Sequence, residues 1–299
     1  MKGRWLIWAV VAVISWGIWA FLSKLLGEAL TAAQSQALSS LGLLPIFALL
    51  VISRKLTGIA NRRGAAWAFT AGVLGCLGNL AYYHALNLGG KAVTVAPLTA
   101  LYPLVTVGLA VLLLKEKLNR IQLIGISLSL VAIYLFNVPS GSGLVSTWLL
   151  FALLPILLWG LAGLLQKIAT NHLSGETSTF WFLAAFIPVA AFILMIQGLP
   201  DAVSRRTWTL VVGLGFFFGL GNYALLAAFA SGGKASVITP LSGLYPIVSV
   251  PLAMYLLHEA AGARELGGIG VALASVVALS WETQPQKPGA ESLKLNASS

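Results

Sequence analysis

Little in this sequence is arranged to make or break bonds. Its eight carboxylates, Glu28, Glu116, Glu176, Asp201, Glu259, Glu265, Glu282 and Glu291, fall at the ends of apolar tracts, in connections or in the tail. The three histidines, His84, His172 and His258, lie on different segments. The single cysteine, Cys76, builds neither an internal disulfide nor a zinc site. No enzyme, metal site or cofactor is therefore expected. What the apolar tracts do contain is binding chemistry: indoles, phenols and carboxamides. The candidate substrate-binding residues are Trp16, Asn79, Tyr82, Tyr83, His84, Tyr102, Trp159, Asn222 and Tyr245. Amides facing lipid are costly, so each polar residue either lines a shared cavity or packs between helices. His84 is the one titratable group well within a tract. It reads as a neutral, hydrogen-bonded cavity-lining ring, with a proton carrier as the other reading. Pro97, Pro103, Pro240 and Pro246 are candidate helix breaks for gating, because proline removes a donor and frees the carbonyl four residues back. A plain packing kink is their alternative role.

The elements that must position these groups follow from composition. The chain has 299 residues, 59% hydrophobic and 9% charged. A soluble domain is about half apolar and about a quarter charged, so a water-soluble globule, a disordered chain and a disulfide framework are excluded. Nine charge-free tracts span residues 5–23, 29–53, 64–90, 92–114, 121–166, 177–200, 207–233, 235–258 and 266–281. Eight are one membrane span long, since a helix needs about 20 residues to cross. The tract 121–166 is two spans divided by the turn formers of 137–143. The fold class is thus an all-α polytopic membrane protein with ten helices, the last borrowing from residues 260–265. A β-barrel would show alternating strands of about ten residues instead.

The net charge of +10 concerns orientation rather than nucleic acid. With the N-terminus in the cytoplasm, thirteen of the eighteen Lys and Arg fall inside and five outside. The positive-inside rule then places both termini in the cytoplasm of a cell inner (cytoplasmic) membrane. The expected partners are a small-molecule substrate and membrane lipid, with no nucleic acid, in a monomer or weak homodimer.

An offset of 143 residues lays the chain on itself. Trp16-Gly17 meets Trp159-Gly160, and Gly78-Asn79-x-Ala81 meets Gly221-Asn222-x-Ala224. Gly89-Gly90-Lys91-Ala92 meets Gly232-Gly233-Lys234-Ala235, Leu101-Tyr102-Pro103 meets Leu244-Tyr245-Pro246, and Glu116 meets Glu259. The register does not slip, so the chain is a duplication: a first five-helix repeat over 1–138, a second over 144–282, and a disordered cytoplasmic tail over 283–299. Five is odd, so the second copy crosses in the opposite sense. Inverted repeats are the architecture of many secondary transporters, with the site where the halves meet. Absence of a carboxylate within the spans argues for facilitated rather than proton-coupled passage. The glycines Gly213, Gly215 and Gly219 read as close helix packing rather than a phosphate loop.

The Trp16-Gly17 start, the segment Pro97-Leu98-x-x-Leu101-Tyr102-Pro103 ending near Lys115-Glu116, and its copy from Pro240 to Glu259 resemble the drug/metabolite transporter superfamily. Within it the chain is similar to the ten-helix EamA-type metabolite exporters, from about residue 5 to 281. The resemblance implies helices one, three, four, six, eight and nine around a central cavity, with five and ten peripheral. It further implies export of amino acids, aromatic and other neutral ones favoured, or of related small metabolites by alternating access. Proton-coupled multidrug or other metabolite export is the alternative. The four-helix drug exporters of the superfamily carry a glutamate in helix one, whereas residues 10–22 here contain no acid.

Overall fold

The computed structural model describes residues 4–114, 118–136, 146–200, 202–232 and 235–281. The expected tail, the 137–143 turn and the residues Lys115, Glu116, Asp201 and Lys234 lie outside them. Among the described residues the chain is helical. The first repeat holds α1 (Arg4–Gly27), α2 (Ala32–Ser39), α3 (Leu44–Ile52), α4 (Arg62–Asn87), α5 (Ala92–Thr99), α6 (Pro103–Leu114) and α7 (Arg120–Phe136). The second holds α8 (Thr147–Thr170), α9 (Gly175–Ala184), α10 (Phe186–Gln197), α11 (Arg205–Ala230), α12 (Ala235–Ser242), α13 (Pro246–Leu256) and α14 (Ala263–Leu279). Eight helical segments are long and apolar enough to cross a membrane. The 17-residue helices α7 and α14 complete the five-plus-five arrangement. As expected, the last helix starts within 260–265, at Ala263.

Four spans are broken, and each break follows from a proline. Pro45, Pro103, Pro188 and Pro246 remove the donors that would engage Leu41, Thr99, Ala184 and Ser242 four residues back. The chain accordingly leaves α-geometry at 40–43, 100–102, 185 and 243–245. The breaks of spans two and seven were not expected from the sequence. Pro97 and Pro240, in contrast, are carried inside α5 and α12 without a break.

The inverted arrangement is visible in what meets at each face. On the face bearing the N-terminus, Thr177 Oγ1 donates to the Thr57 carbonyl at 2.7 Å and Asn119 Nδ2 to that of Trp281 at 2.7 Å. On the opposite face, Lys24 Nζ donates to the Gly90 carbonyl at 3.1 Å and Arg264 Nη2 to that of Tyr134 at 2.9 Å. Three of these contacts, those of Thr177, Asn119 and Arg264, join the repeats, and they meet in the way antiparallel repeats require.

The halves interlock rather than abut. Helix α1 packs along α11, α4 along α8, and α7 along α14. Close approach is made by glycine. A Cβ at Gly215 would overlap the Ser39 carbonyl and Gly42, and one at Gly72 would overlap the Phe182 carbonyl at the repeat-related crossing. Gly219 rests on Ile46 and Leu43 of span two, so the packing role expected of the glycines of α11 is observed. Replacing Gly215 with alanine is expected to destabilise the fold by about 1–3 kcal/mol through overpacking. Gly267→Ala, with open space around it in α14, should stabilise by about 0.5–1 kcal/mol. Thermal unfolding in detergent checks both signs.

Candidate functional site

A narrow chamber of about 50 Å³, several times the roughly 10–15 Å³ that one water needs, lies where the repeats meet. Its repeat-related frame consists of Trp16 and Trp159, facing one another's halves. Trp159 lies against Gly78 and Trp16 against Gly221, where any Cβ would overlap the indole. This is why the Gly-Asn pair recurs in both repeats: the glycine admits the partner's tryptophan.

Tyr102 and Tyr245, placed by the breaks of spans four and nine, complete the frame. Tyr102 hydroxyl is 2.7 Å from Ser242 Oγ and 3.3 Å from the Thr239 carbonyl. Tyr245 hydroxyl is 2.8 Å from Thr99 Oγ1 and 2.9 Å from the Ala96 carbonyl. Each tyrosine thus reaches the broken span of the other repeat. Thr99 and Ser242 also reach carbonyls of their own helices, those of Val95 and Thr239. Of the four expected helix breaks, Pro103 and Pro246 act through the turns before them and Pro97 and Pro240 break nothing; none of the four is among the described lining residues.

The rest of the lining does not obey the symmetry. Trp19 stacks on Tyr82 at 5.0 Å and meets Trp159 and Phe218 at 5.7 Å each. The repeat positions of Trp19 and Tyr82 are Ala162 and Leu225, so the aromatic cluster belongs to one side. On the other side Gln166 Nε2 donates to Asn222 Oδ1 at 3.2 Å, and Asn222 Nδ2 to the Phe218 carbonyl at 2.9 Å. The residue equivalent to Gln166 is Ser23, whose hydroxyl donates to the Trp19 carbonyl at 2.7 Å. Trp159 Nε1 donates to the Gly75 carbonyl at 3.3 Å, whereas Trp16 Nε1 is buried without a partner. No Asp, Glu, Lys, Arg or His is among the described lining residues.

Five of the nine expected binding residues therefore meet here: Trp16, Tyr102, Trp159, Asn222 and Tyr245. Tyr82 stands one layer behind them, its ring against Trp19 and Trp159. Asn79 and Tyr83 do not reach the chamber. They line a separate, closely packed crevice with Ser39 and Ser40, and Tyr83 hydroxyl accepts from Trp19 Nε1 at 3.0 Å. His84 requires correction. Two residues beyond Tyr82, it is turned by about 200° around α4, away from the chamber. It sits edge-to-face with Phe151 at 4.4 Å in a lateral groove with Leu80 and Leu154. Missed from sequence were Trp19, Gln166, Phe182 and Phe218. Trp19 and Gln166 carried a signal, one lying a turn beyond Trp16 and the other being an amide inside a span.

Both halves, residues 3–138 and 146–281, match the model of the EamA-like transporter family. The chain belongs to this family. It is a multi-pass membrane protein in which the family's unit occurs twice. An uncharacterized transporter of Haemophilus influenzae is 26% identical, covering 93% of this chain and 94% of the relative. Another, YojE of Bacillus subtilis, is 26% identical over 85% of each. An uncharacterized protein of Methanocaldococcus jannaschii is 29% identical over 45% of this chain but 97% of its own length, about one EamA repeat. A solved crystal structure shares the fold at a TM-score of 0.69 and 17% identity over 100% of both chains.

The cross-links between repeats are open to a double-mutant cycle. Tyr102→Phe and Ser242→Ala are each expected to lower stability by about 1 kcal/mol. Because they share one hydrogen bond, the double variant should cost less than the sum. Denaturation of the EamA protein in detergent measures the coupling, and additivity would show the bond to be absent.

Proposed function

We propose that this EamA protein exports small net-neutral metabolites, foremost amino acids with aromatic or other apolar side chains, by alternating access and without proton coupling. The lining carries the reading. Indole and phenol rings accept an apolar body, while the indole N–H of Trp16 and the amides of Gln166 and Asn222 offer neutral polar groups to its polar end. A lone charge would enter a low-dielectric space with no countercharge, at high cost. A zwitterion brings its own pair, its carboxylate taking an N–H and its ammonium resting over a ring face. The working unit is the monomer, since one chain encloses the chamber. The charge bias supports cytoplasmic termini in the inner membrane.

Proteoliposomes loaded with labelled phenylalanine test this at equal pH on both sides. Saturable efflux insensitive to a protonophore is expected. Trp16→Ala and Gln166→Ala should each reduce it about tenfold, as loss of a buried aromatic or paired polar anchor does. Strict dependence on a pH gradient would sink the uncoupled mechanism, and no flux of any neutral amino acid would sink the substrate class.

A further inference from the structure

The first turn of α5 is capped from the other half of the molecule. Its N-cap residue, Lys91, makes no side-chain capping bond. Instead the carboxylate of Glu259, just beyond α13, accepts from the Ala92 N–H at 3.1 Å and the Val93 N–H at 2.9 Å. Two of the unpaired donors of the helix start are thus satisfied by an anion on the favoured end of the dipole. Lys91 returns the contact. Its Nζ donates to the Ala260 carbonyl at 2.9 Å and to the Glu265 carboxylate at 3.2 Å. Beneath these polar contacts Ala92 and Val93 pack with Ala253, Leu257 and Ala261. The result is a clasp over an apolar plug, joining the two repeats on the face opposite the N-terminus.

The clasp is mechanically continuous with the chamber. Every residue of α5 is buried, and the helix is only eight residues, about 12 Å, long. Its far end holds Tyr245 through Thr99 and Ala96. A displacement of the capped end is therefore transmitted to a chamber-lining ring. The duplication also makes the two faces unequal. The positions equivalent to Lys91, Glu259 and Glu265 are Lys234, Glu116 and Gln122. Lys234 and Glu116 lie outside the described residues, but the substitution of Gln122 for a second carboxylate is plain in the sequence.

We propose that Glu259 and Lys91 are positioning residues of the transport cycle, forming the clasp that must release α5 for the chamber to open on the face opposite the N-terminus. They touch no substrate. Glu265 adds a second carboxylate to the closure on this face, and with this face clasped the resting carrier loads from the N-terminal face. The inference rests on the carrier reading above, and its test is independent of which solute is carried.

The full chain with Cys76→Ala and Ala162→Cys, a reporter on the chamber wall, is expressed in membrane vesicles of both orientations. A small membrane-impermeant thiol reagent is applied to each face. Glu259→Ala is expected to raise labelling from the face opposite the N-terminus about tenfold, the population shift of about 1.4 kcal/mol. Labelling from the N-terminal face should stay level or fall. Lys91→Gln should act in the same direction, more weakly, and serves alone if Glu259→Ala does not accumulate. Unchanged labelling in these variants, or an equal rise from both faces, would overturn the proposal in favour of a purely structural cap. Face-specific labelling without phenylalanine efflux would leave the clasp standing and reject the substrate class.

Discussion

In hydrocarbon there is no water to satisfy a broken backbone, so every interruption of a spanning helix must be repaired from within the protein. The chamber depends on how this is done at spans four and nine. Pro103 and Pro246 open the chain at 100–102 and 243–245; the turns close on nearby backbone, as Tyr102 N–H does on the Thr99 carbonyl, and the tyrosine of each opening reaches the other repeat. Tyr102 bonds Ser242 and the Thr239 carbonyl; Tyr245 bonds Thr99 and the Ala96 carbonyl. The two breaks thereby become one shared, buried hydrogen-bonded junction. The rings that make it are also walls of the chamber, so the contacts that hold the halves together line the candidate site.

The duplicated frame and the unduplicated lining divide the work. Glycine facing tryptophan at Gly78–Trp159 and Gly221–Trp16 sets the distance between halves identically on both sides. Within that frame Trp19 and Tyr82 build an aromatic side, while Gln166 and Asn222 build a polar one. A perfectly symmetric chamber would offer a solute two equivalent orientations. Here the lining is asymmetric within a duplicated frame.

Much of the fold was legible from residues alone. Apolar tracts of span length, the unbroken 143-residue register and the odd number of spans per repeat together require ten antiparallel-repeated helices. Breaks of spans four and nine were expected at Pro97, Pro103, Pro240 and Pro246, and only Pro103 and Pro246 make them; Pro45 and Pro188 break spans two and seven, while Pro155 and Pro251 are carried within helices. The binding residues were legible in part, for a physical reason. Sequence locates a residue along a helix axis, but its direction around the axis matters only once neighbours are known. His84 and Tyr82 are two positions apart and face opposite ways. Asn79 and Asn222 are perfect repeat mates, yet Gln166 draws one toward the chamber wall while the short Ser23 leaves the other in a separate space.

The sequence by itself determined that this chain spans a membrane as an inverted duplication and that its charge-free tracts hold no carboxylate, lysine or arginine, because hydrophobic length and charge placement are one-dimensional properties. Only the tertiary structure decided which of those groups share a chamber, and that Glu259 and Lys91 hold the start of α5 from opposite repeats. Such pairings join residues more than 160 positions apart. They depend on how helices turn and cross in three dimensions, and no local periodicity encodes that.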